Sequence, residues 1–386
     1  MVAPSRWNVG MGCSLDALDY AGVRGLGRGS ILVRQICQTN RRRRSVESPN
    51  AMTPSTIKLL LSAHALRTWG DQIARAVPVG SLTFVTAEDA IAGRVYDADI
   101  AFMTREVTGA SSKGNPSKEL KDFEILLRGA SNLRWLQIHP AGAERTLYTE
   151  LQARGVRVTT ASGATAITVA HSTLGALIAL NRRFPLLADA QRRHAWEQRL
   201  GANAPRDLKG QCAVIVGLGP IGRSIAKLLN ALDMHSIGVR RNPEPVTPCD
   251  LTLTYDRLGE ALPRADWLIL CCPASPVTRG LANAAAFAAM PVGSHLINVA
   301  RGEVAIERDV IAALASGHLA GAYLDVFERE PLDKTSPLWD MTNVIVSPHS
   351  ASHSLGQPQA ILDIFLDNLR RWRAGQKLRN DVEDLA

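Results

Sequence analysis

Three residues late in the chain are of types, and in an order, that can do chemistry. Arg301 stands in Asn298-Val-Ala-Arg-Gly302, Glu330 in Leu324-Asp-Val-Phe-Glu-Arg-Glu-Pro331, and His349 in Ser347-Pro-His-Ser-Ala351. A guanidinium is a fixed cation that can clasp a planar carboxylate and polarise a carbonyl oxygen beside it. An imidazole can give or take a proton near neutral pH, and a carboxylate next to it fixes its tautomer and favours its charged form. Reduction of a 2-keto acid needs those three functions: a clasp for the anionic end, a proton for the forming alkoxide, and an acid that holds the donor. Singly, Arg301 reads as a strand-terminal salt bridge, and Glu330 and His349 as structural polar residues. Each, however, follows an apolar strand-like run (295–299, 321–326 and 344–346), and the carboxyl ends of parallel strands are where open α/β sheets bind ligands.

Upstream lies a site for the hydride carrier such a reduction requires. The apolar run 212–216 leads into Gly217-Leu-Gly219-Pro220-Ile221-Gly222, after which Ile221, Ile225, Leu228, Leu229 and Leu232 share one helical face. In that setting Gly217 permits the tight turn, Gly219 lets the backbone approach a pyrophosphate, and Gly222 lets the helix pack close to its strand. The first amides of the helix then face the phosphates. A glycine turn without a ligand is the plain alternative; a strand before and an amphipathic helix after favour the dinucleotide. Where the next strand ends, NAD sites place an acid for the ribose 2′-hydroxyl. This chain has Arg240-Arg241 there, 18 residues past Gly222. Two cations suit a 2′-phosphate, so NADP is the expected cofactor, with NAD possible if the pair is solvated surface.

The elements that must position these groups read as alternating strands and helices, hence as βαβ units and parallel sheets. Strands are expected at 57–61, 83–86, 100–103, 136–138 and 156–159, then at 212–216, 236–239, 267–272, 295–299, 321–326 and 344–346. A helix over 164–182, apolar on most sides, is expected to be buried between domains. A polar segment around 192–209 leads into the second half, and a last helix over about 359–373 is expected to cross back to the first. The fold class is therefore α/β, with two doubly wound parallel-sheet domains. A Rossmann cofactor domain, 160–349, is inserted in a discontinuous substrate domain, 52–159 and 350–386.

Composition is that of an ordinary globular protein: 386 residues, 46% hydrophobic and 21% charged. The net charge of +8 hints at nucleic acid until it is located. Residues 1–51 hold eight arginines against three acids, a balance of +5 that leaves only +3 for the rest. That leader is rich in Gly and Arg, lacks periodicity, and reads as a disordered extension preceding Met52. An Arg-rich targeting peptide and a nucleic-acid-binding arm are the competing readings. No apolar run of membrane-spanning length appears. The cysteines, at 13, 37, 212, 249, 271 and 272, lack metal-ligand or disulfide spacing, so no metal is expected and a reduced cytoplasmic setting fits. Cys212, Cys271 and Cys272 fall in apolar strand-like runs, where free cysteine behaves as a small hydrophobe.

From about Ile57 to its end the chain resembles the D-isomer-specific 2-hydroxyacid dehydrogenases, which include glyoxylate/hydroxypyruvate reductases and D-3-phosphoglycerate dehydrogenases. The resemblance rests on Gly217-Leu-Gly-Pro-Ile-Gly222, Asn298-Val-Ala-Arg-Gly302, Leu324-Asp-Val-Phe-Glu-Arg-Glu-Pro331 and Pro348-His349. It implies that Arg301 binds substrate, that Glu330 orients His349, and that His349 is the general acid/base. It further implies that Asp325 holds the nicotinamide carboxamide and that Ala141-Gly142-Ala143 offers amides to the substrate carboxylate. Cys272, Pro273 and Thr278 would line the adenosine side, Ala300 would join the cofactor set, and a homodimer is implied. His171, where the family often has Glu, is a departure that touches the long helix and not the active site. His139, beside the Ala141 loop, reads either as a substrate contact or as a packing or interdomain residue.

The end at Asp384-Leu-Ala386 leaves no room for a regulatory amino-acid-binding domain, which argues against the longer, feedback-regulated phosphoglycerate dehydrogenases. The leading expectation is a reductase of a small 2-keto acid such as glyoxylate, hydroxypyruvate or phenylpyruvate, with no nucleic-acid or membrane partner. Two alternatives share the fold. Formate dehydrogenases are expected to carry Gln where Glu330 stands. Nucleotide-sensing proteins similar to the C-terminal binding corepressors are favoured only by the basic leader.

Overall fold

Short runs rich in Leu, Ile and Val, separated by capped helices, give the computed structural model its alternation of strand and helix. It describes residues 56–109, 116–143, 145–201 and 204–384. The leader 1–51, with Cys13 and Cys37, lies outside the described residues. Ser62, Thr86 and Ser117 act as N-caps, their hydroxyls accepting from the backbone N–H three residues on.

The strands form two parallel sheets, and the fold is that of two α/β domains as expected. In the first, β1 (Ile57–Leu61), β2 (Leu82–Thr86), β3 (Ile100–Met103), β4 (Trp135–Ile138) and β5 (Arg157–Thr159) take the order β2-β1-β3-β4-β5. The second sheet begins with β6 (Cys212–Val216), β7 (His235–Val239), β8 (Leu251–Leu253) and β9 (Trp267–Leu270). It continues with β10 (Ser294–Asn298), β11 (Leu319–Leu324) and β12 (Val344–Val346), in the order β12-β11-β10-β9-β6-β7-β8. In each sheet the winding reverses beside the first strand, between β1 and β3 and between β6 and β9. Chains leaving in opposite directions there open a crevice at the carboxyl ends.

Period-two alternation assigns the core. Leu59, Leu61, Ile100, Phe102 and Trp135 point to one face of the first sheet, and Leu60, Ala101, Met103, Leu136 and Val158 to the other. The last helix, Gln357–Arg373, returns to the first of these faces: Phe365 stacks on Phe102 at 4.3 Å between ring centroids and on Trp135 at 5.5 Å. Burying rings of this size contributes about 1.5–3 kcal/mol each, and Phe365→Ala would cost about 3–5 kcal/mol. The long apolar helix, Ala166–Asn181, buries Val169, Ala170, Leu177 and Leu180 in a cluster shared with the helix Pro220–Asn230 and with Tyr323 of β11. Its burial is one-sided, since Ile167 is exposed.

The departures from the sequence reading have physical causes. β8 is a strand the reading lacks: Leu251-Thr-Leu253 lies on a sheet edge with Leu251 exposed, and its central Thr breaks the apolar run by which the other short strands are read. β9 and β11 stop at Leu270 and Leu324, short of the expected 272 and 326. The residues beyond leave the ladder and form loops at the site, so Cys271 and Cys272 are loop residues and not strand residues.

Candidate active site

All seven strands of the second sheet run parallel, so the loops after β6, β7, β9, β10, β11 and β12 emerge at one edge. This edge holds Gly217–Gly222, Arg240, Cys272-Pro273, Arg301, Asp325 and His349.

The glycine loop is fixed by close approach. Gly217 has φ +106°, its N–H donates to Val239 C=O at 2.7 Å, and a Cβ there would sit 2.7 Å from Cys272 N. A Cβ on Gly222 would lie 1.9 Å from Gly217 O, so only glycine lets the helix Pro220–Asn230 start this near its strand. Gly219 differs: it is extended, offers no side-chain cap, and a Cβ on it would meet nothing within 4 Å. Pro220 fills the first helical position, where no N–H is needed, and the first-turn amides of Ile221 and Gly222 are left for an anion. The loop therefore fits a dinucleotide pyrophosphate. Arg240, half-buried, follows β7, and its N–H donates to Leu253 C=O at 3.0 Å; Arg241 beside it is exposed. Tyr255 lies within electrostatic reach of both, its phenol pushed up to about 12 by burial. Cys272 is buried, its thiol pushed up to about 11 by burial, which makes it unreactive. Thr278, also buried, donates to Pro273 C=O at 2.7 Å and shapes that loop.

Arg301 is presented by a side-chain-built turn. Asn298, buried, accepts from Ala300 N–H at 3.1 Å and donates to Arg301 C=O at 3.2 Å, while Arg301 Nη1 donates to Ala300 C=O at 2.7 Å. A Cβ on Gly302 would overlap Phe327 C at 1.9 Å. The chain after Arg301 thus lies directly on the segment that bears Glu330. The sequence reading missed both positioning residues. Their signal was present, as an Asn able to fold an Asx-type turn and a Gly directly after the cation.

His349 Nδ1 stands 2.8 Å from Glu330 Oε2, and Glu330 Oε1 accepts from Phe327 N–H at 3.2 Å. Burial works to raise the Glu330 carboxyl, but the hydrogen bond and charge of His349, with Phe327 N–H and Arg301, leave it below its usual range. His349 is raised, first by its hydrogen bond to Glu330, against burial and the Arg301 charge. An ionised Glu330 can only accept, so Nδ1 carries the proton toward it and Nε2 is the exchanging position. His349 has φ +52°, a left-handed conformation costly for a non-glycine residue. Two acceptors pin it there, Asp325 C=O at 2.9 Å and Ser347 C=O at 3.0 Å. Asp325, buried, accepts at Oδ1 from Ser347 Oγ at 2.6 Å, Ser350 N–H at 2.8 Å and Ala351 N–H at 3.0 Å. The His349 and Glu330 side chains keep 49% and 38% of their exposure, so a substrate can reach them.

On the first sheet, Ala141–Ala143 follows β4, with His139 at its entrance. Burial, then Arg105 and Arg145, push the His139 imidazole down to about 4, so it is neutral, and its Nε2 lies 2.8 Å from Thr108 Oγ1. A cavity of about 460 Å³ lies at the opposite edge of the second sheet, among Gln211, Asp266, His295 and Asn343. Asp266 is paired there with Arg206 at 2.6 Å and His295 stacks on Trp267, so that cavity is a structural gap. Among the described residues no group of His, Cys, Asp or Glu side chains is placed to hold a metal ion, and no helix is long and apolar enough to cross a membrane.

Residues 174–351 match the D-isomer specific 2-hydroxyacid dehydrogenase, NAD binding domain. The chain is 31% identical over 255 residues to a glyoxylate reductase of Thermofilum pendens, covering 64% of this chain and 74% of that one. Its structure is similar to that of a D-isomer specific 2-hydroxyacid dehydrogenase family protein from Aeromonas salmonicida subsp. salmonicida, with TM-score 0.69 and 28% identity over 85% of this chain and 99% of that one. It is also similar to the D-isomer specific 2-hydroxyacid dehydrogenase from Xanthobacter autotrophicus Py2, solved with NADPH and MES, with TM-score 0.67 and 28% identity over 85% and 98%. The fold and the glycine loop define an oxidoreductase with a nicotinamide-dinucleotide-binding Rossmann domain. The chain belongs to the D-isomer-specific 2-hydroxyacid dehydrogenase family.

Proposed function

We propose that the chain is an NADP(H)-preferring reductase that converts a small 2-keto acid to its D-2-hydroxy acid. The 2.8 Å pairing of His349 with Glu330, on the same sheet edge as Arg301 and the glycine loop, carries this reading. Arg301 clasps the substrate carboxylate and polarises the carbonyl; amides of the Ala141–Ala143 loop complete the anion site. A bound nicotinamide dinucleotide supplies the hydride. His349 gives its Nε2 proton to the alkoxide oxygen, and Glu330 holds the ring by Nδ1 and keeps it protonated in the neutral range. Asp325, which the resemblance assigns to the nicotinamide carboxamide, also anchors the segment that bears His349. Gly217, Gly219, Pro220, Ile221 and Gly222 would cradle the pyrophosphate, with Cys272, Pro273, Thr278 and Ala300 lining the rest of the site.

Arg240 and Arg241 would take the 2′-phosphate, supported by their place after β7 and the lack of an acid there. Residues 52–159 with 350–386 would form the substrate domain and 160–349 the dinucleotide domain, acting as a cytoplasmic homodimer. Phe184, Leu187, Trp196 and Leu200 offer it an exposed apolar surface. The test is a spectrophotometric screen of glyoxylate, hydroxypyruvate and phenylpyruvate with NADPH and NADH. Turnover of at least one acid, faster with NADPH, is expected; no oxidation of either cofactor with any acid would overturn the reading.

A further inference from the structure

Three segments of the proposed site meet one short crossover. Residues 160–165 join β5 to the long helix Ala166–Asn181. Ala161 N–H donates to Pro140 C=O at 3.0 Å, directly before the Ala141–Ala143 loop. Gly163, with φ +94°, stands against the glycine loop: a Cβ on it would lie 3.7 Å from Pro220 Cγ. The helix that follows donates from Ser172 Oγ to Ala351 C=O at 3.0 Å, in the segment just past His349. The crossover therefore touches the proposed carboxylate-binding loop and the pyrophosphate loop. Through its helix it also touches the segment that carries the proton donor.

Residues 160–165 lie beyond the ladder of β5 and before the first turn of the helix, so their backbone groups find partners outside regular structure. Asn380 is the main one. Its C=O accepts from Thr160 N–H at 3.0 Å, and its Nδ2 donates to Thr160 C=O at 3.2 Å and to Ser162 C=O at 2.8 Å. A carboxamide has two N–H donors, and here both are given to the crossover. Asn380 has φ +57°, a conformation Asn tolerates better than most residues. Its neighbours are fixed. Asn368 of the last helix, fully buried, accepts from Arg379 N–H at 2.7 Å and donates to Arg379 C=O at 3.0 Å and to Gln137 Oε1 of β4 at 3.2 Å. Asp381, also buried, bridges Thr159 in antiparallel fashion and accepts from Arg157 Nε at 2.8 Å. Clamped between the two, Asn380 holds the crossover from a fixed position. Its bonds fall on Thr160 and Ser162, which bracket Ala161 and lead into Gly163, the residues that meet the two loops.

We propose that Asn380 is a positioning residue for the reduction: through the crossover it sets the Ala141–Ala143 loop and the His349 segment against the cofactor loop. This rests on the keto-acid reading of Arg301, Glu330 and His349. Asn380→Gly keeps the left-handed backbone at no steric cost and removes the carboxamide. Asn380→Asp keeps the size and shape but sets an acceptor opposite two carbonyls, and it serves if the glycine variant does not fold. Each variant is measured well below its melting temperature, in two arms. In the first, without cofactor or substrate, the amides of Ala161 and of Ala141–Ala143 are expected to exchange with deuterium about tenfold faster than in the parent, as the local structure opens more often. The amides of Leu59 and Val214, inside the two sheets, should keep the parent rate. In the second arm, kcat/KM for the preferred keto acid with NADPH is expected to fall about tenfold, since a displacement of about 1 Å far from the chemistry can cost roughly a hundredfold. KM rises as the loop amides leave the carboxylate, and kcat falls as the donor shifts. NADPH affinity should persist, because the backbone of the glycine loop is untouched. A lowered melting temperature with kcat, KM and the exchange of Ala141–Ala143 all at parent values would make Asn380 a structural residue and overturn the inference. If the parent turned over no keto acid, the proposed reaction would fall, and the exchange arm alone would decide whether Asn380 holds the loop.

Discussion

The two sheets expose their carboxyl ends in contrasting ways. At the second sheet the site is made by backbone: Gly217, Gly222 and Gly302 stand where a Cβ would come within 3 Å of a neighbouring main-chain atom, and a left-handed His349 is pinned by carbonyls. At the first sheet it is made by side chains from distant stretches, with Arg105 meeting His353 and Gln357 across the whole chain. A backbone constraint leaves a local mark, a glycine or a short motif. An assembly of side chains leaves none, because any residue of suitable charge could come from any loop. The backbone-built edge carries the glycine loop and the His349–Glu330 pair, whereas the side-chain-built edge is held together by contacts between stretches far apart in sequence.

Arg301 is the point where the contrast breaks first. It is a side chain, yet it is aimed by the Asn298 turn and by the contact of Gly302 with Phe327. Arg301→Ala should lower kcat/KM for the preferred keto acid by about three decades, through lost clasp and lost carbonyl polarisation. Cofactor affinity should persist, since the glycine loop is untouched. Steady-state kinetics with dinucleotide titration separates the two, and near-normal kcat/KM would remove Arg301 from the mechanism.

A second test bears on the cofactor end, where backbone supplies the cradle but two side chains supply the choice. Arg240 is half-buried and Arg241 exposed, so each contact to a 2′-phosphate is worth less than a fully buried one. A preference for NADPH over NADH of roughly ten- to a thousandfold in kcat/KM is expected, at about 1.4 kcal/mol per decade. Arg240→Asp should reverse it by repelling the phosphate and accepting from a ribose hydroxyl. A parent enzyme that favours NADH would reduce the pair to solvated surface.

What the sequence made legible follows the same division. The glycine loop, the strands that carry it and the order Arg301, Glu330, His349 could be read because each sits in a motif dictated by main-chain geometry. The class of fold followed from the alternation of strand and helix. The contacts of Arg105 could not be read: the last helix is expected to cross back to the first half, but nothing around Thr104-Arg105-Glu106 marks where Gln357 and His353 will meet it. Nor could the bonding of Asp325, whose carboxylate takes four hydrogen bonds from the segment after β12. The strand β8 is not legible because its central Thr252 and exposed Leu251 leave no continuous apolar run, and the ends of β9 and β11 because apolar composition continues after the ladder has stopped.

The smallest expected effect concerns the pair that joins the two kinds of construction, a side-chain contact held by a strained backbone. Glu330 raises the His349 pKa by its hydrogen bond, and His349 in turn depresses Glu330. Keto-acid reduction needs the imidazolium, so kcat/KM should fall as pH rises through the His349 pKa. Glu330→Gln keeps the shape and a hydrogen-bond acceptor but removes the charge, which lowers that pKa and moves the fall to more acidic pH. The loss at mildly alkaline pH should be about tenfold, a fraction of the roughly 10²–10⁴-fold that a general acid contributes in all. Stability should follow the same sign. The raised imidazole stabilises the fold below its unfolded pKa, and that contribution is lost as pH rises through the folded value. The depressed carboxyl stabilises above its own unfolded pKa, and that contribution is lost as pH falls through its folded value. The pair therefore supports the fold most between the two, by an amount that partial exposure keeps small. Paired pH–rate and pH–melting profiles of parent and Glu330→Gln provide the measurement. If the two rate profiles overlay, His349 is not the titrating donor or Glu330 is not what tunes it.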